Sequence, residues 1–139
     1  MSAPIAFALQ FRGDAVEVGD GRMWAESRAP TCFFVNVFGR DGLRGRLGGD
    51  GVVCRRELEL SEDGSLAEAG EITFDAQSSI TFRSRGELAG GRGTAMCEVT
   101  GGRGALAGAH GYIATNFELS DSGELTDDHI GLLFVERPD

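Results

Sequence analysis

The sequence predicts an all-β fold of about eight short strands, either a sandwich or a closed barrel, and three observations predict it. Helix signals are nearly missing: only LRGRLGG and SLAEAGE carry short helical spacings of apolar residues, and glycines break both. Apolar and polar residues alternate along segment after segment, the period of a sheet with one solvated face. Turn clusters rich in Gly, Asp and Ser (RGD, GDG, GRDG, GGDG, SEDGS, AGGRG, SDSGE) punctuate those segments.

The strands follow in order. Ile5, Phe7, Leu9 and Phe11 alternate with Ala6, Ala8, Gln10 and Arg12. TCFFVNVF (31–38) is rich in β-branched and aromatic residues. GVVCRRELEL (51–60) sets Val52, Cys54, Arg56, Leu58 and Leu60 against Val53, Arg55, Glu57 and Glu59. EITF (71–74) opposes Ile72 and Phe74 to Glu71 and Thr73, and SITFRSRG (79–86) opposes Ile80 and Phe82 to Thr81, Arg83 and Arg85. GTAMCEVT (93–100), HGYIATNFEL (110–119) and DHIGLLFVE (128–136) complete the series.

At 139 residues the chain has the length of one domain, and 41% hydrophobic composition suffices for a core. With 13 cationic residues, all arginine, against 22 acidic ones, the net charge is −9. No basic face for nucleic acid and no basic amphipathic helix for a membrane surface can be drawn from that balance. No leader or spanning run is visible, so a cytoplasmic location is the expectation. The three cysteines, Cys32, Cys54 and Cys97, have no metal-type spacing, and an odd count does not make a full disulfide framework. No hydrolase elbow, HExxH or CxxC motif is present, so neither a metal nor a cofactor is expected.

The densest glycine run is CEVTGGRGALAGAHGYIATNFEL (97–119). A phosphate loop needs its glycines between a strand and a helix, whereas a strand pattern follows here. The run therefore reads as a hairpin at a barrel corner. Gly101, Gly102 and Gly104 would take positive φ there, and Gly108 and Gly111 would permit bulges or close packing.

The same run resembles the TGG-x-G-x-[FL]-x-G-x-x-G hairpin of the allene oxide cyclase-like barrels, with Gly101, Gly102, Gly104, Leu106, Gly108 and Gly111 in matching places. Plant dirigent proteins carry a looser version. RLGGDGVVCRREL (46–58) is similar to a cysteine-bearing strand of plant allene oxide cyclases, and IGLLFVE resembles the closing strand. The resemblance implies one eight-stranded antiparallel β-barrel over residues 1–139 with a largely apolar central cavity. It also points to bacterial natural-product cyclases, including those that close rings by intramolecular [4+2] addition. The first strand departs from the plant cyclases: Ala8 and Gln10 stand where they have a glutamate and an asparagine, which argues against allene oxide as substrate.

Ring closure in a barrel asks for apolar walls and a few inward polar groups. Tyr112, Asn116 and Arg56 are the candidate catalytic residues: the first two share a strand face with His110 and Glu118, and Arg56 shares one with Cys54. Gln10, Trp24, Phe34, Cys54 and Phe82 are the candidate substrate-binding residues. His129 reads as a surface histidine at a strand start. The expected activity is a cofactor-independent cyclase or isomerase acting on an unsaturated apolar chain. A lipocalin-like binder and a dirigent-like stereochemical guide are the alternatives. A homodimer or homotrimer is expected, with Ile113, Phe117, Leu132 and Phe134 as an exterior patch if the polar faces point inward.

Overall fold

The computed structural model describes residues 2–29, 33–36, 44–46 and 51–136. Ten strands follow one another: β1 Ser2–Gly19, β2 Arg22–Ala29, β3 Phe33–Asn36, β4 Arg44–Arg46, β5 Val52–Leu60, β6 Ser65–Thr73, β7 Ser79–Ala89, β8 Arg92–Arg103, β9 His110–Leu119 and β10 Glu124–Glu136. The sole helical element among the described residues is a 3-10 turn at Gly104–Leu106. Eight strands close an antiparallel barrel in the order β1-β2-β5-β6-β7-β8-β9-β10, with β10 returning to pair with β1 over Ser2–Asp14. Closure removes the free sheet edges that an open sheet of this size would expose.

The ring has the expected number of strands. The segment 31–38 supplies β3, which pairs with β1 at Ile5–Ala8 and with β4. With β10 on one edge of β1, β3 follows β2 along the other, β2 pairing at Arg12–Gly19 and β3 at Ile5–Ala8, both antiparallel, so β3 prolongs the line of β2 in the wall. β2 itself gives no strand signal because its inward residues Ala25, Ser27 and Ala29 are too small to show as an apolar stripe. The helix-like SLAEAGE is the start of β6, where Leu66 and Glu68 point inward and Ala67 and Ala69 point out.

One end of the barrel carries four tight turns, between β1 and β2, β5 and β6, β7 and β8, and β9 and β10. They are hooked to one another in a cycle. Leu60 N donates to Gly21 O (2.6 Å), Leu88 N to Gly64 O (2.9 Å), Leu119 N to Gly91 O (2.7 Å), and Ala15 N to Gly123 O (2.8 Å). Each bond is worth only ~0.5–1.5 kcal/mol net, but together they tie every hairpin to its neighbour. ELSEDGSL (59–66) and ELSDSGEL (118–125) form two of these turns with matching internal bonds, Ser61 N to Ser65 O and Ser120 N to Glu124 O, both 2.9 Å. The barrel is thus two similar halves, β1-β2-β5-β6 and β7-β8-β9-β10.

The glycine-rich segment connects β8 to β9 through the 3-10 turn, so the sharp corner predicted there is present. Gly104 and Gly108 take positive φ, as does Gly111, while Gly101 and Gly102 are extended members of β8. The register shift between Thr81 and Phe82 lies opposite Gly101, making the bulge that bends the wall.

Inside, two apolar layers are stacked along the barrel axis. The layer toward the glycine-rich end contains Phe7, Phe11, Cys54, Ile72, Phe74, Ile80, Phe82, Cys97, Ile113 and Leu133. The layer under the tight turns contains Ala25, Leu58, Leu66, Phe117 and Leu125.

Candidate functional site, a polar belt across the barrel

Between those layers the inward positions become polar on strand after strand. β2 contributes Ser27, β5 Arg56, β6 Glu68, β7 Ser84, β9 Thr115, and β10 Asp127 and His129, and all seven are buried. Strand periodicity places them: Arg56 lies between Cys54 and Leu58, Thr115 between Ile113 and Phe117, and Glu68 two residues after Leu66.

Arg56, 1% exposed, reaches from β5 to β10 and holds carboxylates from both halves. Its Nη2 lies 2.6 Å from Asp127 Oδ2 and its Nη1 lies 3.3 Å from Glu68 Oε2. The guanidinium carbon stands 5.6 Å from the centroid of the Phe117 ring, within cation–π range. Burial works against the guanidinium charge, but Asp127 and Glu68 outweigh it and hold the group firmly protonated.

Asp127 accepts from Thr115 Oγ1 at 3.0 Å and lies 2.7 Å from His129 Nε2. Burial pushes its pKa up, yet the His129 and Arg56 charges and the bonds from His129 and Thr115 win, leaving the carboxyl below its ordinary range. An ionised Asp127 requires the proton of that contact to sit on His129 Nε2. Nδ1 is then the bare nitrogen of a neutral ring or the second N–H of a charged one. The His129 ring meets Phe11 edge-on, with centroids 4.8 Å apart. Ser84 Oγ donates to Glu68 Oε2 at 3.0 Å.

Apart from Arg56 Nη2, which is held in the ion pair with Asp127, four buried polar atoms in this layer have no hydrogen-bond partner: Ser27 Oγ, Arg56 Nε, Glu68 Oε1 and His129 Nδ1. The belt therefore offers donors and an acceptor carboxylate oxygen, plus a ring nitrogen able to carry or accept a proton. Cys54 and Cys97 adjoin it, and burial pushes both thiols up to about 12, with Glu68 also raising Cys97. They are lining groups at neutral pH, with no thiolate to attack.

Of the sequence-predicted residues, the structure brings Arg56, Cys54 and Phe82 together in the interior. Tyr112 and Asn116 stand on the outer wall, correcting the inward reading of that face: Tyr112 is 60% exposed, while Ile113, Thr115 and Phe117 fill the inner side. Two aliphatic or aromatic groups and a methyl-bearing threonine bury more apolar surface than a tyrosine, an alanine and an asparagine would. Gln10 also points out and donates to Asp128 Oδ1 at 2.9 Å. With Asn116 it lines an outer groove of about 390 Å³. Trp24 is 38% exposed on the outside of β2, opposite Val16. The Phe34 side chain lies outside the described residues.

His129 is 1% exposed, correcting its reading as a surface group. Its face was hidden because β10 is apolar on both sides, with Ile130 and Leu132 outside and Leu125, Leu133 and Val135 inside. The signal that could have found it is the parity of Asp127 and His129 with Leu125, reinforced by the turn repeat.

No protein-family model and no curated protein matches this sequence. Comparison with solved structures does give matches. The pterocarpan synthase dirigent protein PsPTS1 superposes with a TM-score of 0.60 at 15% identity, over 95% of this chain and 97% of that one. The pterocarpan synthase dirigent protein GePTS1 gives 0.58 at 14%, over 97% and 88%. The chain therefore has the fold of the dirigent barrels, the architecture whose hairpin its glycine-rich segment resembles.

Proposed function

We propose that this protein is a dirigent-like stereochemical guide, a barrel that holds a reactive, largely apolar small molecule against its polar belt and fixes the face on which a new bond forms. The observation that carries the reading is the set of unpaired atoms in the belt, Arg56 Nε, Glu68 Oε1, His129 Nδ1 and Ser27 Oγ. In a barrel built only for stability each would cost ~1–3 kcal/mol with no return. A ligand bearing a hydroxyl and a carbonyl oxygen satisfies two of them: the carbonyl accepts from Arg56 Nε, and the hydroxyl exchanges its proton with His129 Nδ1. Phe11, Phe82 and Phe117 supply apolar walls at that level. The likeness to two pterocarpan synthase dirigent proteins supports the same reading.

The test is a chiral analysis of products from hydroxylated, unsaturated precursors that couple or cyclise spontaneously to racemates. With the protein present one enantiomer is expected in excess, and His129→Phe and Arg56→Met should return the racemate. Racemic products throughout, with no ligand retained in equilibrium dialysis, would remove the proposal.

A cofactor-independent cyclase acting on an unsaturated chain, [4+2] addition included, is the second reading, and the Asp127–His129 contact favours it. A carboxylate that orients an imidazole makes a proton-transfer pair. Holding the reacting ends together adds up to ~7–11 kcal/mol in the best intramolecular cases. Rate separates the readings: a cyclase shortens the half-life of the precursor, a guide changes only the product's handedness, and a carrier changes neither.

A further inference from the structure

Three inward glycines each face a phenylalanine directly across a strand boundary: Gly70 faces Phe82, Gly93 faces Phe117 and Gly131 faces Phe7. In each pair the phenyl ring leans over the glycine and takes the space of the missing side chain. At Gly93 the three atoms nearest an added Cβ all belong to the Phe117 ring, and at Gly131 all belong to the Phe7 ring. At Gly70 the Arg55 carbonyl also stands in the way, 2.5 Å from that Cβ. Phe7 packs edge-on against Phe74, with centroids 6.1 Å apart. Phe117 instead lies beneath a charge, the Arg56 guanidinium.

We propose that Gly93 and Phe117 are positioning residues for Arg56, the belt residue whose Nε has no partner; the inference rests on the belt being the site of the proposed guest. Gly93, Phe117 and Asp127 form one row across β8, β9 and β10, so ring and carboxylate stand side by side. Arg56 comes to both from β5, on the opposite side of the eight-strand ring. Its ion pairs with Glu68 and Asp127 are made by Nη1 and Nη2. Two anchored atoms of a planar group leave one rotation open, about the line that joins them, and that rotation swings Nε. The Phe117 ring against the guanidinium carbon closes it, by contact and by attraction between the cation and the π-electrons. The ring keeps that place because Gly93 gives it a hollow. With a Cβ there, Phe117 is driven off the wall toward the cation it supports. The glycine thus sets the aim of the Nε donor through two intermediaries, without touching a guest.

The Arg56 Nε–H signal in nitrogen-edited NMR tests this with no guest present, once it is identified by its loss in Arg56→Lys. Its exchange with solvent should speed up at least about fivefold in Gly93→Ala, the scale of a desolvated cation–π contact. Phe117→Leu, which keeps apolar bulk and removes the π face, should do the same, and it decides the matter if Gly93→Ala does not fold. Gly131→Ala and Phe7→Leu disturb a ring that bears no cation, so the Arg56 signal should exchange near the wild-type rate in both. Urea unfolding places all the variants on one stability scale. Exchange that follows stability alone, or that responds equally to the Phe7 and Phe117 variants, would overturn the proposal. So would unchanged exchange in Phe117→Leu. Chiral product analysis is the second readout: where the wild type yields an excess, Phe117→Leu should lower it, and an undiminished excess overturns the positioning role. A wild type that yields only racemate ends the proposed function, while the exchange rates still decide this inference.

Discussion

Glu68 and Asp127 occupy equivalent places in the two halves of the barrel and grip the same guanidinium, that of Arg56. Each is the fourth residue after its turn glycine, Gly64 or Gly123, and each faces inward. The residue equivalent to Arg56, four before the turn leucine of the other half, is Thr115, which donates to Asp127. The belt is thus a two-fold motif in which one half supplies a cation and the other a hydroxyl, and the departure from symmetry is what gives the interior a direction.

Removing the cation should hurt more than removing the whole cluster. Arg56→Met leaves two carboxylates buried without their partner, and a loss of ~3–5 kcal/mol is expected in urea unfolding. Adding Glu68→Leu and Asp127→Leu to that variant should recover at least half of it. A triple variant less stable than the single one would show that the belt contributes net stability.

Acid should act through Asp127. Its folded carboxyl titrates below the unfolded value of ~3.9, so its contribution is fully present above that value. It is lost as pH falls through the lower folded value. Urea midpoints measured from neutral pH down to about 2 should decline for the wild type below about 4, and decline less for Asp127→Asn. Equal slopes would mean that the carboxyl is not held in its ionised form.

Alkylation should pass over two thiols. With both groups held up to about 12, Cys54 and Cys97 in the folded chain should react with iodoacetamide near pH 8 at least about a thousandfold more slowly than after denaturation. Peptide mass mapping separates the two sites. Rapid labelling of Cys54 without unfolding would place it in contact with solvent.

Adjacent glycines in one turn should differ. Gly90 (φ +59) has nothing within 4 Å of an added Cβ, whereas at Gly91 (φ +76) that atom would lie 2.8 Å from Leu119 O. Gly90→Ala should cost ~1–2 kcal/mol, the strain of a left-handed alanine. Gly91→Ala should cost more, because it also displaces a carbonyl and stretches the hook to β9. Equal thermal shifts for the two variants would contradict this.

Much of the barrel was legible because alternation is a direct signature of a one-sided core. Val52, Cys54, Arg56 and Leu58 face inward as the pattern required, and Phe82 does too. The failures have a shared cause. β2 hides because its inner residues are small, and β9 and β10 mislead because both of their faces carry apolar groups. Where parity alone could not choose, the aliphatic side of β9 went in and Tyr112 went out. Of the seven belt residues Arg56 was visible as a candidate, and Glu68, Thr115 and Asp127 were encoded in the spacing from two similar turns, ELSEDGSL and ELSDSGEL.

A series of hooks that returns to its own beginning has no terminal link from which to fray. Each turn glycine is clasped by the next hairpin, from Gly21 to Gly64 to Gly91 to Gly123 and back to β1. Unravelling one junction leaves its hairpin held by the junction on its other side. Ser2 and Glu136 lie at the opposite mouth, where the described residues form no such cycle. The molecule consequently has a hinge-free floor and a looser rim, and hydrogen exchange should run as a gradient between them. The amides of Leu60, Leu88 and Leu119 would open only with the whole barrel. For a protein that must admit a guest, the polarity is useful: the rim can breathe while the floor keeps the belt in register.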